Sequence, residues 1–192
     1  MVLIMSCMSA WILREYLGTF LEKKKIGRLS KVRWGIFFIW QVYSILDIIK
    51  LPDYDILIIS VFAVFLVSLN YEGRIFKKIV FTVVYNSIWM LIEILLVFIF
   101  IAVGFDYAAQ GLLGSLISKV ILLLLVESLK RFFSNQNIKD LPHSYNMILV
   151  LIPLGSMFVV YTSFLMSANC YKSSHVYWSF TALIIMFLIN AL

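Results

Sequence analysis

Long apolar runs separated by short gaps of alternating charge constrain this chain more than any other feature. Twelve of its sixteen Lys and Arg residues fall in three of those gaps. Lys23, Lys24, Lys25, Arg28, Lys31 and Arg33 fill the first, Arg74, Lys77 and Lys78 the third, and Lys130, Arg131 and Lys139 the fifth. The second and fourth are marked by acids, Asp53 with Asp55 and then Asp106. The sixth, around Asn169 to His175, holds the single Lys172. Basic loops stay on the cytoplasmic side of a membrane during insertion, so the alternation sets both the number of spans and their direction.

The composition agrees. Apolar residues make up 63% of the chain and charged residues 14%, with a mean hydropathy of +1.01. A soluble domain averages about 45–50% apolar and roughly 25% charged. The net charge of +6 belongs to loops that flank helices and meet anionic headgroups, and no folded basic face is expected for nucleic acid. Met1 to Leu13 is apolar, but no basic segment precedes it and the basic residues follow it. It therefore reads as a first span with its N-terminus outside rather than a signal peptide.

A spanning helix needs about 20 apolar residues. The candidates are Val2 to Leu21, Trp34 to Ile49, Ile56 to Asn70, Ile79 to Val103, Gly111 to Leu129, Tyr145 to Ala168 and Val176 to Leu192. The expected fold is an all-α polytopic transmembrane helix bundle of seven spans in the cell membrane, with the N-terminus outside and the C-terminus cytoplasmic. Arg14 and Glu15 interrupt the first span. If that helix lies in the membrane plane instead, six spans remain. The short connections make consecutive helices antiparallel neighbours. The last span ends at Leu192, a natural place for an inward-running helix to join a cytoplasmic domain, so either a complete small membrane protein or the membrane part of a longer one is expected.

Ionisable groups within a membrane are functional candidates whose partners should be named. Glu93 lies ten residues before the outer end of the fourth span, roughly 15 Å deep, and Lys119 lies eight residues into the fifth, roughly 12 Å deep. Adjacent antiparallel spans would bring them together as an ion pair. Such a pair serves either as a polar switch or as a static lock on helix register. Asn86, seven residues before Glu93, extends the stripe along one helix face. Gly111, Gly114, Ser115 and Ser118 form a small-residue face that permits close helix approach, within the chain or in a homodimer.

No catalytic set emerges. There is no phosphate-binding glycine loop, and His143 and His175 lack companions at metal-ligand spacing, so neither a metal nor a cofactor is expected. Both histidines read as interfacial loop residues. Cys7 and Cys170 both fall toward the outer side and read as free thiols, although a disulfide between them is conceivable.

Several stretches resemble the membrane sensor region of peptide-pheromone receptor histidine kinases of the accessory-gene-regulator (Agr) type, within the GHKL superfamily. They are Asn70-Tyr71-Glu72-Gly73 with Lys77-Lys78-Ile79, Gly114 to Lys119 running on to Glu127 and Lys130-Arg131, Leu151 to Ser156, and a last span ending near Asn190. The resemblance implies a domain that binds a secreted peptide from outside and signals to a cytoplasmic dimeric kinase. This chain carries no phosphoacceptor helix and no ATP-binding motif, so it is expected to be no enzyme as it stands. Its ligand-facing candidates, chosen by position at the outer ends, are Asp47, Lys50, Asp53, Tyr54, Asp55, Phe105, Asp106, Tyr107, Lys172 and His175. Two alternatives are weighed. The first is a substrate-binding subunit of a small-molecule transporter, whose small-residue docking face Trp11, Arg14 and Tyr16 do not supply. The second is a signal-processing membrane peptidase, whose His-then-Cys order is reversed in Cys170 and His175.

Overall fold

The computed structural model describes residues 2–24, 27–46, 53–103, 107–133 and 155. Five helices account for nearly all of them: α1 (Val2–Phe20), α2 (Arg28–Leu46), α3 (Asp53–Ser68), α4 (Ile75–Val103) and α5 (Tyr107–Phe133). These correspond to the first five apolar runs. The expected sixth and seventh segments, with His143 and Cys170, lie outside the described residues.

The helices extend past the apolar runs that announce them. α2 begins six residues before Trp34 and takes in Arg28, Lys31 and Arg33, while α4 takes in Lys77 and Lys78. Lys and Arg are good helix formers, so hydropathy locates the apolar stretch and not the helix end. Of the described helices, only α4 contains a stretch long and apolar enough to cross a bilayer, the 23 residues Ile75–Val97. α3 has 16 residues, about 24 Å at 1.5 Å per residue against a hydrocarbon core of about 30 Å. α1, α2 and α5 carry charged or amide side chains within their lengths.

The helices pack as a ring in chain order. α1 touches α2, α2 touches α3, α3 touches α4, α4 touches α5, and α5 returns to α1, with a lesser contact between α1 and α4 across the middle. Seven residues of α1 are buried: Met5, Ser6, Ser9, Ile12, Leu13, Tyr16 and Leu17. Their three- and four-residue spacing makes one broad face. This is a core helix, held on several sides. Tyr16 anchors it. Its ring packs on Phe20 and Tyr85 at 5.2 and 5.1 Å between centroids, and its hydroxyl donates to the Phe81 carbonyl at 3.2 Å. Trp40 on α2 donates to Ser60 Oγ on α3 at 2.9 Å, tying the next pair.

Short connections stitch one end of the ring. Lys23 and Tyr71 form an antiparallel bridge between the α1–α2 and α3–α4 connections. Glu72 N donates to Glu22 O at 2.7 Å and Lys24 N to Asn70 O at 3.2 Å. Gly73 closes the turn at φ 126°, a conformation that a side chain would strain. At the same end Lys130 of α5 donates to the Glu15 carboxylate of α1 at 2.7 Å. The described residues of all three basic gaps therefore meet at one end.

Candidate functional site

The interior of the ring is an apolar core with polar side chains set into it, and large apolar side chains also stand on the outer surface. Ser6, Ser9, Gln41, Ser60, Thr82, Asn86, Ser87, Ser118 and Lys119 are buried, while Leu3, Ile4, Trp11, Ile58, Phe62 and Leu124 are exposed. On α2 the exposed apolar residues are Leu29, Val32, Ile36, Ile39, Tyr43 and Leu46, a stripe at alternating three- and four-residue steps.

At the centre lies a small cavity of about 10 Å³, near the lower limit for one water molecule. α1 lines it with Ser9 and Ile12, α2 with Gln41, α4 with Tyr85 and Trp89, and α5 with Lys119 and Leu122. Gln41 and Lys119 are each only 2% exposed. The Lys119 ammonium donates to Ser115 Oγ at 3.0 Å and stands 6.0 Å from the Trp89 ring centroid, within range of a cation–π attraction. Ser118 is also fully buried and returns its hydroxyl to the Ser115 carbonyl at 3.0 Å.

The contact ion pair expected from depth is not formed. Lys130 forms ion pairs within 4.0 Å with Glu15 and Glu127. Glu93 and Lys119 are near enough to act on each other electrostatically, but each turns to a neighbour on its own helix. Lys119 bonds Ser115, four residues earlier. Glu93 is hydrogen-bonded by Trp89, also four residues earlier. Helical side chains lean toward their own N-terminus. In antiparallel α4 and α5 those directions are opposite, so the two long side chains pass one another. Trp89 then serves both charges, by its N–H and by its ring.

Asn86, the third member of the expected stripe, is fully buried and donates to the Thr82 carbonyl at 2.8 Å. Its Oδ1 and the Thr82 hydroxyl are buried without a hydrogen-bond partner. Two members of the small-residue face, Gly114 and Ser118, pack within the chain. A Cβ on Gly114 would meet the Phe100 ring of α4 at 3.2 Å, Ser118 is buried, and Gly111 belongs to the same helix.

The outer-end candidates are only partly described. Asp53, Tyr54 and Asp55 open α3 and Tyr107 opens α5, all at the end opposite the basic gaps, and Asp55 is partly buried. Asp47, Lys50, Phe105, Asp106, Lys172 and His175 lie outside the described residues. Cys7 is an exposed free thiol. Among the described residues no three His, Cys, Asp or Glu side chains converge.

Several polar residues of the site escaped the sequence reading. Gln41 and Trp89 occupy apolar runs and carry no net charge, so neither alternation nor depth marks them. Arg33 read as one loop cation among six, yet its Nη1 donates both to the Leu69 carbonyl and to Asn70 Oδ1, each at 3.1 Å. Tyr71 read only as part of a turn. It is buried, its hydroxyl donates to the Arg14 carbonyl at 3.3 Å, and burial pushes its pKa up to about 12. Lys130 is held above its usual value by its bond to Glu15.

Comparison with known proteins returned no matching family model, no matching curated protein and no matching solved structure.

Proposed function

We propose that the chain is a seven-span membrane sensor domain, with its N-terminus outside and its C-terminus in the cytoplasm. It would act in peptide-pheromone signalling as part of a dimeric histidine kinase system. Three features support the membrane reading. α4 has a stretch of spanning length, many large apolar side chains are exposed while Lys119, Gln41 and Asn86 are buried, and the basic gaps share one end. Lys31, Arg33, Lys77 and Lys78 stand near helix N-termini, where the helix dipole disfavours cations. Retention of a basic end on one side of a bilayer accounts for that placement.

The observation that carries the sensor reading is Lys119, a buried ammonium bonded to Ser115 while its opposite charge, Glu93, stands out of contact. The side chains have two arrangements available. In one, each charge keeps its own-helix partner. In the other, a sliding of α4 against α5 brings carboxylate and ammonium together. A ligand at the outer ends that favours one arrangement over the other would shift the population by its differential affinity. The transporter-subunit alternative calls for a substrate chamber, and ligand pockets are usually about 300–1,000 Å³. The cavity beside Lys119 is about 10 Å³.

The test is hydrogen exchange on the purified protein in lipid nanodiscs, with and without the small-peptide fraction of spent medium from the source cells. Changed protection in α4 and α5 is expected, and it should disappear in the Lys119→Met variant. A protein that ignores the peptide fraction but retains a small organic molecule through purification would overturn the sensor reading in favour of the transporter subunit.

A further inference from the structure

We propose that the basic end holds the phosphate of an anionic phospholipid between Lys24, Arg33 and Lys78, over the C-terminal end of α3. This rests on the membrane reading above. The three cations come from three elements: the α1–α2 connection, α2 and α4. Hydrogen bonds fix two of them against one residue, Lys24 by its backbone and Arg33 by its side chain. Lys24 N donates to the Asn70 carbonyl, and the Arg33 guanidinium donates to Asn70 Oδ1 and to the Leu69 carbonyl beside it. Lys78 is within electrostatic reach of both Lys24 and Arg33. The carboxylate acting on Lys78 there is Glu72, which is exposed.

Three like charges so placed repel one another; the Leu69 carbonyl, Asn70 Oδ1 and Glu72 offset part of that repulsion, and an anion among the three would relieve more of it. A second observation points the same way. With Oδ1 taken by Arg33, the Asn70 amide still has its Nδ2 buried and without an acceptor. A phosphate offers several acceptor oxygens to one amide and three cations, and a guanidinium fork suits it geometrically. The surroundings select a lipid as its source. Leu29 and Val32 on α2 and Ile75 and Ile79 on α4 are exposed apolar residues in the turns that carry Arg33 and Lys78. Acyl chains would cover them, and free phosphate would not. Basic pockets between helices on the cytoplasmic side are a recurring form of headgroup site.

Native mass spectrometry of protein released from nanodiscs of mixed phosphatidylglycerol and phosphatidylcholine tests the site. The wild type is expected to retain phosphatidylglycerol preferentially. Lys24→Gln with Lys78→Gln should lower that retention about tenfold, with helix content unchanged by circular dichroism. Lys31→Gln with Arg131→Gln removes the same charge from exposed positions at the same end and should leave retention intact. Equal loss in both double variants would reduce the effect to diffuse charge and overturn the site. Displacement of the lipid by inorganic phosphate alone would overturn the lipid assignment. A protein that carries neither lipid, and does not sediment with membranes, would fail the membrane reading itself, a result distinct from loss of selectivity.

Discussion

The stitched basic end and the polar interior are both rich in hydrogen bonds, but they spend them differently. At the basic end, bonds run between elements. Glu22 meets Glu72, Lys24 meets Asn70, Arg33 meets Leu69, and Lys130 meets Glu15. In the interior most stay on one helix: Ser9 bonds Met5, Asn86 bonds Thr82, Ser87 bonds Val83 and Lys119 bonds Ser115. Inter-element bonds fix geometry, whereas bonds within a helix survive if two helices slide. The basic end is tied between elements, and under the proposed sensor function the α4–α5 interior is the part that rearranges.

Substitutions can break or sharpen that contrast. The largest effect is expected where the aromatic anchor of α1 is removed. Tyr16→Ala deletes a fully buried ring and should cost about 3 kcal/mol or more, read as a lowered thermal midpoint in nanodiscs. A loss under about 1 kcal/mol would mean that α1 is not the core helix described above.

The interior charges come next. Because Lys119 bonds a hydroxyl and not a carboxylate, Lys119→Met should cost less than about 2 kcal/mol, well below the usual cost of breaking a buried contact pair. Adding Glu93→Gln should recover the loss. A double variant no more stable than the worse single would show that the two charges do not couple.

At the basic end, Gly73→Val places a β-branched residue at φ 126°, with Leu21 Cδ2 only 3.4 Å from the new Cβ. A cost of about 1–2 kcal/mol is expected, together with faster amide exchange at Glu72. Unchanged exchange would show that the bridge does not depend on this turn. The smallest effect belongs to Lys130→Gln. Its ion pair is solvent-exposed, so stability should barely move, and what little is lost should vanish in high salt. A large, salt-independent loss would place that contact among the main ties of that end.

The architecture was legible in the sequence to the extent that hydropathy and charge carry it. Five described helices lie where five apolar runs stood, and the gaps rich in Lys and Arg gathered at one end. Helix ends were not legible, because Arg28 to Arg33 and Lys77–Lys78 are as content in a helix as in a loop. The interior was legible in membership but not in pairing. Depth placed Glu93 beside Lys119, but depth says nothing about the direction in which a side chain leans, and in antiparallel helices that direction decides. Gln41 and Trp89 were hidden because neutral polar residues in apolar runs leave no charge signal.

The central claim is that the three basic gaps lie on the cytoplasmic side of one membrane-crossing bundle. Single cysteines at Arg74, Arg131 and Asp55, introduced with Cys7→Ser and Cys170→Ser, test it directly with a membrane-impermeant maleimide on intact cells. Arg74→Cys and Arg131→Cys should label only after lysis, and Asp55→Cys should label before it. Labelling of Arg74→Cys or Arg131→Cys in intact cells would contradict the account.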